Sequence, residues 1–166
     1  MNDSTCTTQI DDRCLEDFVI GSVSEFGSIA VDEAQIIDFA RRFDPQVFHT
    51  DPEAAKKSIY GGLIASGWHT ASIMMRLIVE HYLPGARSLG SPGIDELRWT
   101  RPVRPGDELS VRVTVLEANR SRSKPDRGVV RSFVEVLNQN HEVVLTMKAV
   151  NFLLCRETPQ QGYLGD

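Results

Sequence analysis

Asp44 and His49 stand five residues apart in Phe43-Asp44-Pro45-Gln46-Val47-Phe48-His49-Thr50-Asp51-Pro52, a stretch built from turn formers. A carboxylate and an imidazole brought together can take and return protons near neutral pH, which is general acid–base chemistry. The same residues have a plainer reading. A polar residue at a helix end before proline serves as a turn former, and a histidine between Phe48 and Thr50 can be a partly buried structural residue. The flanking elements decide how the pair is presented.

Upstream, residues 32–43 read as an amphipathic helix, with Asp32 as N-cap, Gln35 three residues later, and Ile36, Phe39, Ala40 and Phe43 on one apolar stripe. Asp44 falls at its end, where Pro45 turns the chain away. Asp51-Pro52-Glu53 starts a second helix, with Asp51 as N-cap and Pro52 in the first helical position. Asp44 and His49 are therefore expected on a short irregular loop pinned at both ends.

Downstream, the glycine-punctuated segment from Tyr60 to Gly67 leads into an apolar run from Trp68 to Tyr82, in which Arg76 is the one charge before Glu80. Such a run predicts a helix that is apolar nearly all round and largely buried. Pro84-Gly85 ends it. Strand patterns follow at Ile94–Trp99, Leu109–Leu116, Val129–Leu137 and Val143–Leu154, after a shorter extended segment within residues 18–30. The fold class is α+β, a buried helix and an antiparallel sheet long enough to wrap it.

The 166 residues, 41% of them hydrophobic, suit one domain, expected over residues 17–156 between a loose arm (1–16) and a mobile tail (157–166). A formal net charge of -5 argues against a nucleic-acid partner. Cys6, Cys14 and Cys155 show no metal-like or CxxC spacing, which fits a reducing compartment, the cytosol. The polar N-terminus carries no export signal, and no run approaches the roughly 18 apolar residues of a membrane span. No His/Cys/Asp cluster has ligand spacing, so no metal is expected, and Ser66 lacks the GxSxG context of a hydrolase nucleophile.

Asp44, His49, the following Asp51-Pro52-Glu53-Ala54-Ala55, Gly61-Gly62-Leu63-Ile64-Ala65-Ser66-Gly67 and Arg101-Pro102-Val103-Arg104-Pro105-Gly106-Asp107 resemble the MaoC-like dehydratases, the (R)-specific enoyl-CoA hydratase group, over roughly residues 18 to 155. The resemblance implies a hot-dog fold, a curved antiparallel sheet round a central helix, paired as dimers or dimers of dimers. It implies reversible addition of water to the double bond of an acyl-CoA thioester, with no cofactor beyond the coenzyme A of the substrate. The chain departs from the family pattern at Gln46-Val47, where the commonest loop has Asn-Pro, and at Met75, where some members carry a small polar residue.

Hydration of an enoyl thioester needs a group to activate water, a group to deliver a proton to the α carbon, and a donor for the enolate oxygen. Asp44 and His49 can share the water, with either one as acid or base. Gly67, opening the buried helix, offers a backbone N–H free of intrahelical partners and backed by the helix dipole, although Ser66-Gly67 would equally suit close packing of helix on sheet. Ser66, Gly62 and Trp68 are expected to touch the substrate. His69 fits a core residue better than a catalytic one. Arg98, Arg101, Arg104, Arg120, Arg122, Lys124 and Arg127 are candidate cations for a coenzyme A phosphate. Hot-dog thioesterases and fatty-acid-synthesis dehydratases generally carry Asp or Glu on the central helix, and Trp68–Val79 has none. A thioesterase, or a hot-dog domain that binds an acyl thioester or a protein without turnover, are the competing readings.

Overall fold

A computed structural model of the chain describes residues 10–156. Cys6, the start of the expected arm and the expected tail lie outside the described residues. The strands β1 (Val23–Ala30), β2 (Gly93–Trp99), β3 (Glu108–Arg120), β4 (Arg127–Leu137) and β5 (Val143–Leu154) form one antiparallel sheet in the order β1-β3-β4-β5-β2. The helices are α1 (Glu33–Phe43), the single turns α2 (Val47–Thr50) and α3 (Pro52–Ala55), and the long α4 (Gly67–His81). This is the hot-dog arrangement.

Alternation in β3 and β4 turns Val111, Val113, Val115, Val130, Val134 and Val136 toward one face. Met74, Leu77 and Ile78 of α4 join them and Leu145 and Met147 of β5 in one core cluster, each buried side chain contributing about 2 kcal/mol. Gly27 lets β1 cross this helix. Its φ is +76°, it sits in a bulge between Phe26 and Ile29, and a Cβ there would fall 2.5 Å from Leu77 Cδ2.

Three expectations need revision. α4 is not covered all round: Trp68, Met75 and Val79 are 54%, 44% and 57% exposed and line up with Ser72 along one stripe. One sheet covers one side of a helix, so the opposite side needs a different cover. Phe43, expected on the buried stripe of α1, is 69% exposed, because the last turn of the helix overhangs a cavity whose wall it forms. Of the expected arm, Cys14 and Leu15 are buried, and Arg13 lays its guanidinium over the rings of Phe18 and Tyr82, 4.3 and 4.9 Å from their centroids.

Candidate active site

Asp44 follows directly from the end of α1. Asp32 caps the start of that helix by accepting the Gln35 N–H at 3.0 Å, and Asp44 forms its C-cap, its own N–H donating to Ala40 O. The segment after Pro45 is not irregular, as the sequence predicts, but forms the turn α2. His49 on that turn is buried rather than looped out. Asp51 stops α2 and starts α3, accepting the N–H groups of Glu53 and Ala54 at 2.9 and 3.0 Å.

The chain from Tyr60 to Gly67 runs back alongside. The Ile64 N–H donates to Phe48 O at 3.2 Å, and His49 Nδ1 lies 2.8 Å from Ile64 O. A carbonyl can only accept, so Nδ1 carries a proton and the neutral ring presents Nε2 as an acceptor. That nitrogen lies 3.4 Å from Asp44 Oδ2. Two acceptors at this separation are well suited to holding the two protons of one water.

Asp44 is fixed from two further directions. The Ser66 hydroxyl donates to Oδ2 at 2.7 Å, and Gln46 Nε2 donates to Oδ1 at 2.7 Å. Burial by itself pushes the carboxyl up, but the hydrogen bonds from Gln46 and Ser66 and, when the ring is protonated, the charge of His49 outweigh it and hold Asp44 below its ordinary value. Ser66 is fully buried and caps α4, accepting the Trp68 N–H at 3.2 Å. One hydroxyl thus joins the carboxylate to the positive end of the long helix.

These residues open onto a cavity of about 590 Å³. Asp44, His49, Gly67 and Trp68 line it together with Phe48, Tyr60, Thr70 and the β2 end, Trp99–Val103. Among the described residues, Asp44 is the sole carboxylate on its wall and Arg101 the sole Lys or Arg. Ser66 reaches the cavity only through Asp44. Gly62 does not line it; Tyr60, whose carbonyl accepts from Arg104 Nη2 at 2.7 Å, turns in instead. His69 is buried against Phe39, ring centroids 4.8 Å apart, and burial lowers its basicity. Among the other candidate cations, Arg98 pairs with Glu96 and Arg127 with Asp126, and Arg120, Arg122 and Lys124 do not line the cavity.

Trp99 is the wall residue that sequence reading misses. A Cβ at Gly67 would fall 2.4 Å from its indole ring, so packing requires the bare glycine at this point of the wall. Trp68 meets the same indole edge to face, centroids 5.3 Å apart. Gln46, a departure from the family pattern, proves to be a donor to Asp44.

Comparison with known proteins agrees with this fold. Residues 17–139 match the family model described as MaoC like domain. A MaoC-like dehydratase from Rhodospirillum rubrum superposes with a TM-score of 0.82 at 46% identity, covering 88% of this chain and 99% of that one. The R-hydratase PhaJ1 from Pseudomonas aeruginosa superposes with a TM-score of 0.66 at 25% identity, covering 87% and 86%. The uncharacterized protein YdeM of Bacillus subtilis (strain 168) is 34% identical over 125 residues, 75% of this chain and 87% of its own. With its sheet, central helix and residues 17–139 all in agreement, the chain belongs to the MaoC-like dehydratase family of hot-dog proteins.

Proposed function

We propose that this protein adds water reversibly to the double bond of an enoyl-CoA thioester, acting as a hydratase or, in reverse, a 3-hydroxyacyl-CoA dehydratase. The observation that carries the reading is the convergence of Asp44 Oδ2 and His49 Nε2, 3.4 Å apart, on a cavity wall that also holds Gly67. A water bridging the two acceptors is aimed at the β carbon of a thioester whose carbonyl accepts the Gly67 N–H. His49 Nε2 takes one water proton as the oxygen bonds to the β carbon, and the electron pair of the double bond moves to the thioester oxygen as an enolate. Asp44 holds the water and stabilises the imidazolium. The imidazolium returns the proton to the α carbon, so one water is added and both side chains are restored. The Gly67 N–H, backed by the α4 dipole, meets the enolate oxygen, a type of donor worth about 3 kcal/mol elsewhere.

The lone carboxylate on the wall supports this over thioester hydrolysis, since α4 places no Asp or Glu on the cavity. The reading needs no cofactor beyond the coenzyme A of the substrate, and Arg101 is the residue best placed to meet its phosphates. The exposed Trp68, Met75 and Val79 stripe beside the sheet-edge strand β2 supports a homodimer paired through this face. Among the described residues no helix is long and apolar enough to cross a membrane, which fits the expected cytosolic setting.

The test is incubation with trans-enoyl-CoA substrates while following enoyl absorbance and free thiol together. Loss of absorbance without thiol supports hydration. Thiol release identifies a thioesterase, and binding with neither change identifies a non-catalytic acyl-thioester protein.

A further inference from the structure

Five aromatic side chains, both tryptophans of the chain among them, line the active-site cavity. They fall into two groups. Phe43, Trp68 and Trp99 are exposed, whereas Phe48 and Tyr60 are half-buried. The half-buried pair is built around His49. The Phe48 ring meets the imidazole edge to face, centroids 4.5 Å apart, and the Tyr60 ring follows 5.1 Å from Phe48 at a tilt of 55°. Three rings therefore stand in a row that begins at the proton-transfer group.

Backbone hydrogen bonds fix this row in advance of any ligand. Phe48 O accepts the N–H of Ile64, the residue whose carbonyl also takes His49 Nδ1. The Tyr60 N–H donates to Ser58 Oγ at 3.2 Å, and Tyr60 O accepts Arg104 Nη2 at 2.7 Å. Ile64 and Ala65, with Val103 joined to Ala65 N–H at 2.8 Å, continue the wall as buried apolar surface.

With a water held between Asp44 and His49, the β carbon it attacks lies against the imidazole, and the substituent on that carbon lies toward the next ring, Phe48. An alkyl substituent gains from Phe48 and Tyr60 only the area it covers, as it would from leucine. A planar ring gains in addition the offset and edge-to-face contacts that aromatic pairs make at centroid separations of about 4.5–7 Å. Phe48 and Tyr60, inclined to each other, offer it a face and an edge. A charged ring does not suit Ile64, Ala65 and Val103, which have no side-chain partner to give it.

We propose that the acyl group carries an uncharged aryl ring on its β carbon, so that the substrate class is a 3-arylpropenoyl thioester or its 3-hydroxy form. Phe48 and Tyr60 are then specificity-determining residues. The proposal rests on the thioester reading above for the placement of its ligand, but its test does not depend on turnover.

Calorimetric titration compares 3-phenylpropanoyl-CoA, 3-cyclohexylpropanoyl-CoA and nonanoyl-CoA, which have equal numbers of acyl carbons and no enoyl double bond. Burial alone ranks the cyclohexyl ring at or above the phenyl ring, because it is the more apolar. Wild type should reverse that order and bind the phenyl thioester about tenfold more tightly than either of the others. Tyr60→Leu and Phe48→Leu should each bring the phenyl and cyclohexyl affinities within about twofold of one another, with nonanoyl-CoA still bound. Tyr60→Phe, which keeps the ring, should keep the preference. A cyclohexyl thioester bound as tightly as the phenyl one by wild type, or a phenyl preference that survives both leucine variants, would overturn the proposal. If none of the three binds, the thioester reading falls and the proposal with it. A phenyl preference in a protein that leaves enoyl absorbance unchanged would leave the aryl assignment standing and overturn hydration alone.

Discussion

Ser66 Oγ donates to Asp44 Oδ2 at 2.7 Å while accepting the Trp68 N–H at 3.2 Å, so the group that caps the central helix also holds the carboxylate. Stability and site geometry therefore depend on one hydroxyl. Ser66→Ala should cost about 1 kcal/mol as a lost N-cap, seen as a melting temperature lower by about 3 °C. It should also lower kcat on an enoyl-CoA by about tenfold, as a freed Asp44 spends less time in position. An unchanged kcat would show that Asp44 needs no support from the helix.

The depressed acidity of Asp44 has a consequence for acid stability. Its hydrogen bonds favour the charged form in the folded state, so their contribution is complete above the ordinary value of 3.8 and is lost as pH falls through the lower folded value. The difference in melting temperature between wild type and Asp44→Asn should narrow on acidification below about pH 4. A difference independent of pH would contradict the assigned hydrogen bonds.

Gly67 is constrained by the Trp99 indole, 2.4 Å from where a Cβ would lie. Gly67→Ala must displace that ring and should destabilise by about 1–3 kcal/mol. Gly67→Ala with Trp99→Leu should recover much of the stability in thermal melts, because the clash partner is gone. Failure to recover would place the strain elsewhere.

Much of the frame was legible because its signals are local. Asp32 with Gln35 and Asp51 with Pro52 mark helix starts by capping chemistry alone, and the alternating valines of β3 and β4 declare a sheet with one covered face. Asp44 and His49 could be singled out because their types and spacing suit proton transfer. What was not legible depends on contacts far apart in sequence. Trp99 reaches Gly67 only once the end of β2 meets the start of α4, and it is Tyr60 rather than Gly62 that lines the cavity. The helical turn around His49 is held by Ile64, fifteen residues away. Apolar content overstated the burial of α4, since periodicity cannot distinguish a sheet from a second copy as the cover.

That uncovered stripe predicts association. Val79, 57% exposed at its C-terminal end, does not line the active-site cavity. Light scattering should give wild type twice the 18.5 kDa mass of the chain, and Val79→Glu should shift it toward the single-chain value by burying an unpaired charge at the interface. A wild type of single-chain mass would contradict the homodimer.

The central claim is that Asp44 and His49 act together on one water. Its most direct test is kcat/KM on a trans-enoyl-CoA for wild type, Asp44→Asn and His49→Ala, each checked by circular dichroism and thermal melting. Each variant should lose about 10³-fold or more while remaining folded, and the double variant should be little worse than either alone. Turnover near the wild-type level in either folded variant would contradict the assignment and move the chemistry away from this pair.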